Sequence, residues 1–286
     1  MEVQSNRIEN GSLVITERTI DVKQLIRDKN ARLERLLPGF VIRYLRRILH
    51  EKDINATLFQ NRDKHGVEMV SAVLYDFGAT IIVRGIENLD GENRFIVVAN
   101  HPLGGLDGLA LIQTVGRVKP PIRFPVNDFL LYLPNMRELF IPINKVGSQS
   151  SAGVKALEEA FLSNDNILYF PSGLASRKIN GKIIDLEWKK TFVQKARQHQ
   201  RNVIPVHVSG QNSRRFYRIA NWRKRLGIKV NIEMLYLADE MYKQKGQTIT
   251  ITFGKPLQYT MFDKSKKDTE WAEYVKQIVY NLPQND

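Results

Sequence analysis

The chain reads as an α/β protein: a mixed central sheet flanked by helices, preceded by a helical N-terminal layer. Three observations carry this. From residue 79 onward, short apolar runs rich in β-branched residues alternate with segments of helical periodicity. Before residue 76 the apolar positions follow a helical period only. And 43% of the 286 residues are hydrophobic, enough for a substantial core. Alternating strand and helix is the pattern that builds a sheet covered on both faces.

In the N-terminal part, Val22, Leu25, Ile26, Leu33, Leu36 and Leu37 fall on one side of a helix at about 100° per residue. The spacing predicts one amphipathic helix over 21–37, stopped by Pro38-Gly39. Over 40–50, Val41, Tyr44, Leu45 and Ile48 form an apolar stripe, and Arg43, Arg46, Arg47 and His50 repeat it two residues later. Two residues turn about 200°, so the stripes lie nearly opposite. Such a helix can dock on the core or lie on a membrane surface, and the pattern leaves both readings open. One more helix is expected over 52–76, interrupted near His65-Gly66. The division that follows is a helical segment over 1–75, with membrane association open to it, and a second unit over 76–286.

In that second unit, strands are expected at Ala79–Val83, Phe95–Ala99, Leu139–Ile143, Ile167–Phe170, Val203–Val208, Val230–Leu235 and Thr248–Phe253. Helices are expected over 107–118, 151–162, 188–199 and 268–282. His207, alternating with apolar neighbours, reads as a core histidine.

Composition narrows the chemistry. The chain has no cysteine, which excludes disulfides, thiolate nucleophiles and cysteine-containing zinc sites. No run of roughly 18 apolar residues is present, and no basic stretch leads into an apolar one near Met1, so neither a spanning helix nor a secretory signal is expected. A net charge of +13 suits an anionic partner. The segment 213–225 mixes Arg214, Arg215, Arg218 and Trp222-Arg223-Lys224-Arg225 with Phe216 and Tyr217, which fits lipid head groups, an acidic carrier protein or, in a non-catalytic reading, nucleic acid.

The densest signal is Ala99-Asn100-His101-Pro102-Leu103-Gly104-Gly105-Leu106-Asp107-Gly108. On one continuous helix His101 and Asp107 would be about 600° apart, on different faces. With 102–106 as a loop, which Pro102, Gly104 and Gly105 favour, they can meet. Asp107 would then sit at a helix N-terminus, where a carboxylate is favoured, and orient the imidazole as a base. Three further segments follow. Arg137–Lys145 is an apolar strand ending in Asn144 and Lys145. Ile167–Lys178 runs through a Pro171-Ser172-Gly173 turn, whose N–H groups can face an oxyanion, to Arg177 and Lys178, which can bind an anion. The last is Val203-Ile204-Pro205-Val206. No Gly-x-Ser-x-Gly elbow occurs, which argues against a serine hydrolase.

In this order the four segments resemble the lysophosphatidate-acyltransferase-like family of glycerolipid acyltransferases over about 75–260. That family shows Asn-His-x4-Asp, a strand block ending in arginine, Phe-Pro-Glu-Gly-Thr-Arg and Val-Ile-Pro-Val. The resemblance implies a glycerol-3-phosphate-acyltransferase-like fold for 76–286. It implies His101 as general base and Asp107 as its partner. Oxyanion donors would lie at Pro171, Ser172 and Gly173, and substrate contacts at Asn100, Gly104, Gly105, Asn144, Lys145, Arg177 and Lys178. Acyl transfer would be direct, from acyl carrier protein or coenzyme A to a lysolipid hydroxyl on an anionic membrane surface. It would need no metal or other cofactor and no nucleic acid, and the protein would be cytoplasmic and peripheral on the inner face of the cytoplasmic membrane. This chain departs from the pattern in five intervening residues between His101 and Asp107, Asn144-Lys145 for arginine, Ser172 for glutamate and Leu174 for threonine. Those departures argue against a glycerol-phosphate acceptor. The stretch from His101 to Gly108 looks more like the hemolysin-named branch, near bacterial enzymes that acylate ornithine or glycine lipids. A 1-acyl-glycerol-3-phosphate acyltransferase is the alternative.

Overall fold

The computed structural model describes residues 6–9, 12–15, 20–143 and 151–282. Strands β1 (Asn6–Glu9) and β2 (Ser12–Ile15) pair antiparallel. Five helices follow: α1 (Val22–Lys29), α2 (Ala31–Leu36), α3 (Gly39–Ile48), α4 (Glu51–Gln60) and α5 (Gly66–Asp76). The single helix expected over 21–37 is two. Asn30 takes an extended backbone (φ −162°), and its side chain accepts the Leu33 N–H at 2.9 Å, capping α2. An asparagine at a cap outcompetes helix continuation because its short side chain satisfies an otherwise orphaned N–H.

The remaining chain builds a seven-stranded sheet. Its strands are β3 (Thr80–Arg84), β4 (Ile96–Ala99), β5 (Ile122–Val126), β6 (Phe140–Pro142), β7 (Asn166–Tyr169), β10 (Val203–Val208) and β11 (Thr248–Phe253). Their order is β3-β11-β10-β4-β7-β5-β6, and every pairing is parallel except β10 with β11. Alternation along β4 shows how the sheet divides the core: Val97 and Ala99 face one apolar cluster, Ile96 and Val98 the other. The first cluster is closed by α5 and α6 (Leu106–Val118), through Met69, Val70, Leu111 and Val115. The second is closed by α7 (Ser151–Leu162), α8 (Thr191–His199) and α11 (Asp268–Asn281), through Phe161, Phe192 and Val275. Burial of β4 on both faces explains why it reads as an unbroken apolar run.

Three elements differ from the sequence reading. The strand expected over 230–235 is a 3₁₀ turn over Ile232–Tyr236 leading into α10 (Leu237–Lys243). Its apolar alternation is broken by Glu233, which is drawn fully inside by two arginines. Strand β5, with Arg123 and Pro125 in it, lacked the apolar density that marks its neighbours. The hairpin of β8 (Arg177–Ile179) and β9 (Lys182–Ile184) turns on Asn180-Gly181, both at positive φ (49° and 83°), the pair a tight hairpin turn demands. The segment 213–225 is mostly helix, α9 (Arg214–Arg225), capped by the Ser213 hydroxyl on the Phe216 N–H.

Strands β4, β7 and β10 run parallel, so the loops after Ala99, Tyr169 and Val208 emerge at one edge of the sheet. Crevices at the carboxyl ends of parallel strands are where open α/β sheets bind ligands.

Candidate active site

His101 leaves β4, and residues 102–105 loop back so that α6 begins beside it. His101 Nδ1 and Asp107 Oδ2 are 2.9 Å apart. Asp107 is fully buried; Oδ2 also accepts the N–H groups of Leu103 (2.8 Å) and Gly104 (3.2 Å), and Oδ1 accepts that of Gly108 (2.9 Å). Burial pushes the carboxyl pKa up; the His101 charge and these hydrogen bonds outweigh it, so the group lies below the ordinary carboxylate value. An ionised carboxylate only accepts, so a neutral His101 carries its proton on Nδ1. Its Nε2 then has a free lone pair, and among the described residues nothing hydrogen-bonds to it. The imidazole stacks on Phe170 from the loop after β7, with ring centroids 4.0 Å apart, and keeps 12% of its side-chain surface exposed.

Gly104 serves this geometry. Its φ of +78° is open to glycine, and a Cβ there would come within 2.5 Å of Leu237 on α10. Gly105 precedes α6, with Met241 of α10 packed over it.

Several residues of the predicted contact set have partners within the protein. Asn100 is buried and bridges to β10: its Nδ2 donates to the Val208 carbonyl (2.8 Å) and its Oδ1 accepts the Val208 N–H (2.7 Å). It is a strut between strands. Arg177 is buried; it donates to the Glu233 carboxylate at 2.7 Å and to the carbonyl of Ala175. Its guanidinium neutralises Glu233 and is not presented to an incoming anion. Pro171 has no N–H, and the Gly173 N–H donates to the Phe170 carbonyl at 3.0 Å, closing the turn. Of 171–173, that leaves Ser172 as the main-chain donor to consider; its hydroxyl is buried and donates to the Leu174 carbonyl at 2.7 Å. Lys178 is exposed on β8. Asn144 and Lys145 lie outside the described residues.

The sequence reading missed Asp185, the residue after β9. Its Oδ1 accepts the His101 N–H (3.2 Å) and the Ser176 hydroxyl (2.5 Å), and its Oδ2 accepts the Trp188 indole N–H (2.9 Å). The Ser176 N–H donates back to the His101 carbonyl at 2.7 Å, so the His101 peptide is held from both sides. A lone acid after a short alternating stretch carries no sequence signal for this role. Glu233, between Arg177 and Arg223, was missed for the same reason.

Two cavities, of about 710 and 360 Å³, lie away from His101: one between α8 and the 263–270 loop, the other lined by Tyr44, Arg47, Ile48, His50, Arg215 and Asp239. Among the described residues no helix is long and apolar enough to cross a membrane.

The family model described as Acyltransferase matches residues 24–285. A lyso-glycine lipid O-acyltransferase of Bacteroides thetaiotaomicron is 48% identical over 264 residues, spanning 92% of this chain and 97% of that protein. A protein of the same name from Phocaeicola vulgatus is 44% identical, spanning 92% and 95%. Among solved structures, the 1-acyl-sn-glycerophosphate (LPA) acyltransferase PlsC from Thermotoga maritima aligns with a TM-score of 0.46 at 19% identity, over 85% of this chain and 92% of that one. With nearly its whole length matched by that family model, the chain belongs to the acyltransferase family and is an acyltransferase.

Proposed function

We propose that the protein moves a fatty acyl group from a thioester, acyl carrier protein or coenzyme A, to the hydroxyl of a lyso-aminolipid of the glycine-lipid type. The names and identity of the two relatives support the acceptor class. The pairing of His101 Nδ1 with a fully buried Asp107 supports the chemistry and carries the reading. His101 Nε2 takes the acceptor proton as the hydroxyl oxygen attacks the thioester carbonyl. Asp107 keeps the imidazole in the Nδ1–H tautomer and balances the imidazolium that forms. The Ser172 N–H serves the tetrahedral oxyanion. The intermediate collapses, the C–S bond breaks, and the imidazolium returns its proton to the departing thiolate. General-base help of this kind contributes about 10² to 10⁴-fold, roughly 3–5 kcal/mol of barrier. Transfer is direct, with no acyl-enzyme.

The acceptor is a membrane lipid, and the reading places the protein peripherally on the inner face of the cytoplasmic membrane. Exposed Phe40, Arg43 and Arg47 of α3 and exposed Trp222 of α9, amid its arginines, support an anionic bilayer as the docking surface.

The test is acyl transfer by the purified protein to an N-(3-hydroxyacyl)glycine, with acyl carrier protein and coenzyme A thioesters as parallel donors. The O-acylated product is expected from the wild type and absent with His101→Ala of unchanged melting temperature. Wild-type turnover by His101→Ala overturns the mechanism. Acylation of lysophosphatidate but not of the glycine lipid overturns the acceptor.

A further inference from the structure

An N-(3-hydroxyacyl)glycine has one charged group, the glycine carboxylate, a few bonds from the hydroxyl that is acylated. A site that selects it needs a cation close to the general base. Arg177 is not presented, being buried against Glu233. We propose that Lys189 binds this carboxylate; the inference rests on the glycine-lipid reading above.

Lys189 is exposed, and among the described residues it forms no ion pair. Its Nζ lies 3.9 Å from the position a Cβ on Gly173 would occupy. Its main-chain N–H donates to the Pro171 carbonyl at 3.1 Å, within the turn that the Gly173 N–H closes onto Phe170. Phe170 is the ring on which His101 rests. One four-residue turn therefore carries the stacking partner of the imidazole at its first residue and the Lys189 ammonium over its fourth.

A second tie fixes the same segment. Trp188, next to Lys189, donates its indole N–H to Asp185, and Asp185 accepts the His101 N–H. The Lys189 backbone is thus set against both loops of the site before any ligand arrives, and only its flexible side chain remains to be ordered.

A carboxylate on the acceptor and a phosphate on the donor's pantetheine arm are both anions that an ammonium can hold. The proposal commits to the acceptor, and the kinetics separate the two. Steady-state rates of the wild type, Lys189→Gln and Lys189→Arg are measured with the N-(3-hydroxyacyl)glycine and with its uncharged methyl ester, each against varied donor. Loss of one charge-assisted contact predicts about a 10-fold rise in acceptor KM for Lys189→Gln. Its kcat should stay near wild type, the ester should show no such rise, and Lys189→Arg should recover most of the loss. A Lys189→Gln protein with wild-type acceptor KM overturns the inference while leaving the glycine-lipid reading intact. So does a KM rise confined to the donor. A wild type that cannot use the glycine lipid overturns the reading, and this inference with it.

Discussion

Replacing Asp107 by asparagine separates what the acid does for the fold from what it does for the chemistry. Its Oδ2 accepts three N–H groups, from His101, Leu103 and Gly104; its Oδ1 accepts one, from Gly108. The amide has one oxygen. Placed at the Oδ2 position it keeps three of those bonds and turns its NH₂ toward the Gly108 N–H. That leaves two buried donors without an acceptor, the Gly108 N–H and the new NH₂ that faces it, each costing about 1–3 kcal/mol. At about 2–4 °C per kcal/mol for a chain of this size, Asp107→Asn melts several degrees lower but folds. In that orientation the Nδ1–H tautomer survives, so what the reaction loses is the negative charge opposite the imidazolium. Two charges about 4 Å apart at an effective dielectric near 20 interact by about 4 kcal/mol, or roughly 10³ in kcat. The assay is kcat at saturating acceptor beside calorimetry on the same samples. The pH dependence of stability has a definite sign. The Asp107 pKa is lowered by folding, so its contribution is present above the ordinary carboxylate value and fades as pH falls through the folded one. The melting gap between wild type and Asp107→Asn should therefore close in acid. An Asp107→Asn protein within a few-fold of wild-type kcat would show that the carboxylate charge takes no part in the reaction.

Other perturbations read out other parts. Glu233→Gln leaves Arg177 and Arg223 facing each other with Arg177 buried, and should destabilise by about 3–5 kcal/mol in thermal or urea unfolding. His207 is held down to about 4 by burial. The unfolded chain protonates first, so stability should fall as pH drops from about 6.5 to about 4, by roughly 3 kcal/mol, and His207→Phe should flatten that slope in pH-dependent unfolding. Phe40→Glu with Trp222→Glu should reduce sedimentation with anionic vesicles at low salt; equal recovery of both proteins would remove these residues from membrane docking.

How much of this the sequence discloses depends on the range of the interaction. The strands that centre the sheet, β4, β7 and β10, are covered on both faces and announce themselves as apolar runs. The approach of His101 to Asp107 is legible because the pair and the glycines that bend the chain lie within seven residues. Arg177 shows the limit. From sequence it is a cation following a turn; only the fold shows that Glu233, 56 residues on, meets it. Asp185 is hidden in the same way, since its partner His101 is 84 residues away. The 3₁₀ turn over Ile232–Tyr236 reads as a strand because local alternation cannot report that Glu233 bonds to arginines elsewhere in the chain.

The two buried acids beside His101 divide the work of placing it. Asp107 acts on the ring, and Asp185 acts on the peptide. Their pKa directions differ: burial raises both, but at Asp107 the His101 charge, the ring hydrogen bond and the peptide donors reverse the shift, whereas at Asp185 the hydroxyl, the indole, one long peptide bond and the weaker pull of the His101 charge do not, and it stays raised. A general base must hold its free nitrogen within a few tenths of an ångström of the proton it takes. A ring hydrogen bond alone fixes the imidazole relative to α6, and its backbone would still be free to shift with the loop. The closed set of bonds among His101, Ser176 and Asp185 removes that freedom, and it does so from the segment that also carries Lys189. A substrate anion held there would be registered against the base through the hydrogen bond from His101 to Asp185 and the short stretch of chain from Asp185 to Lys189.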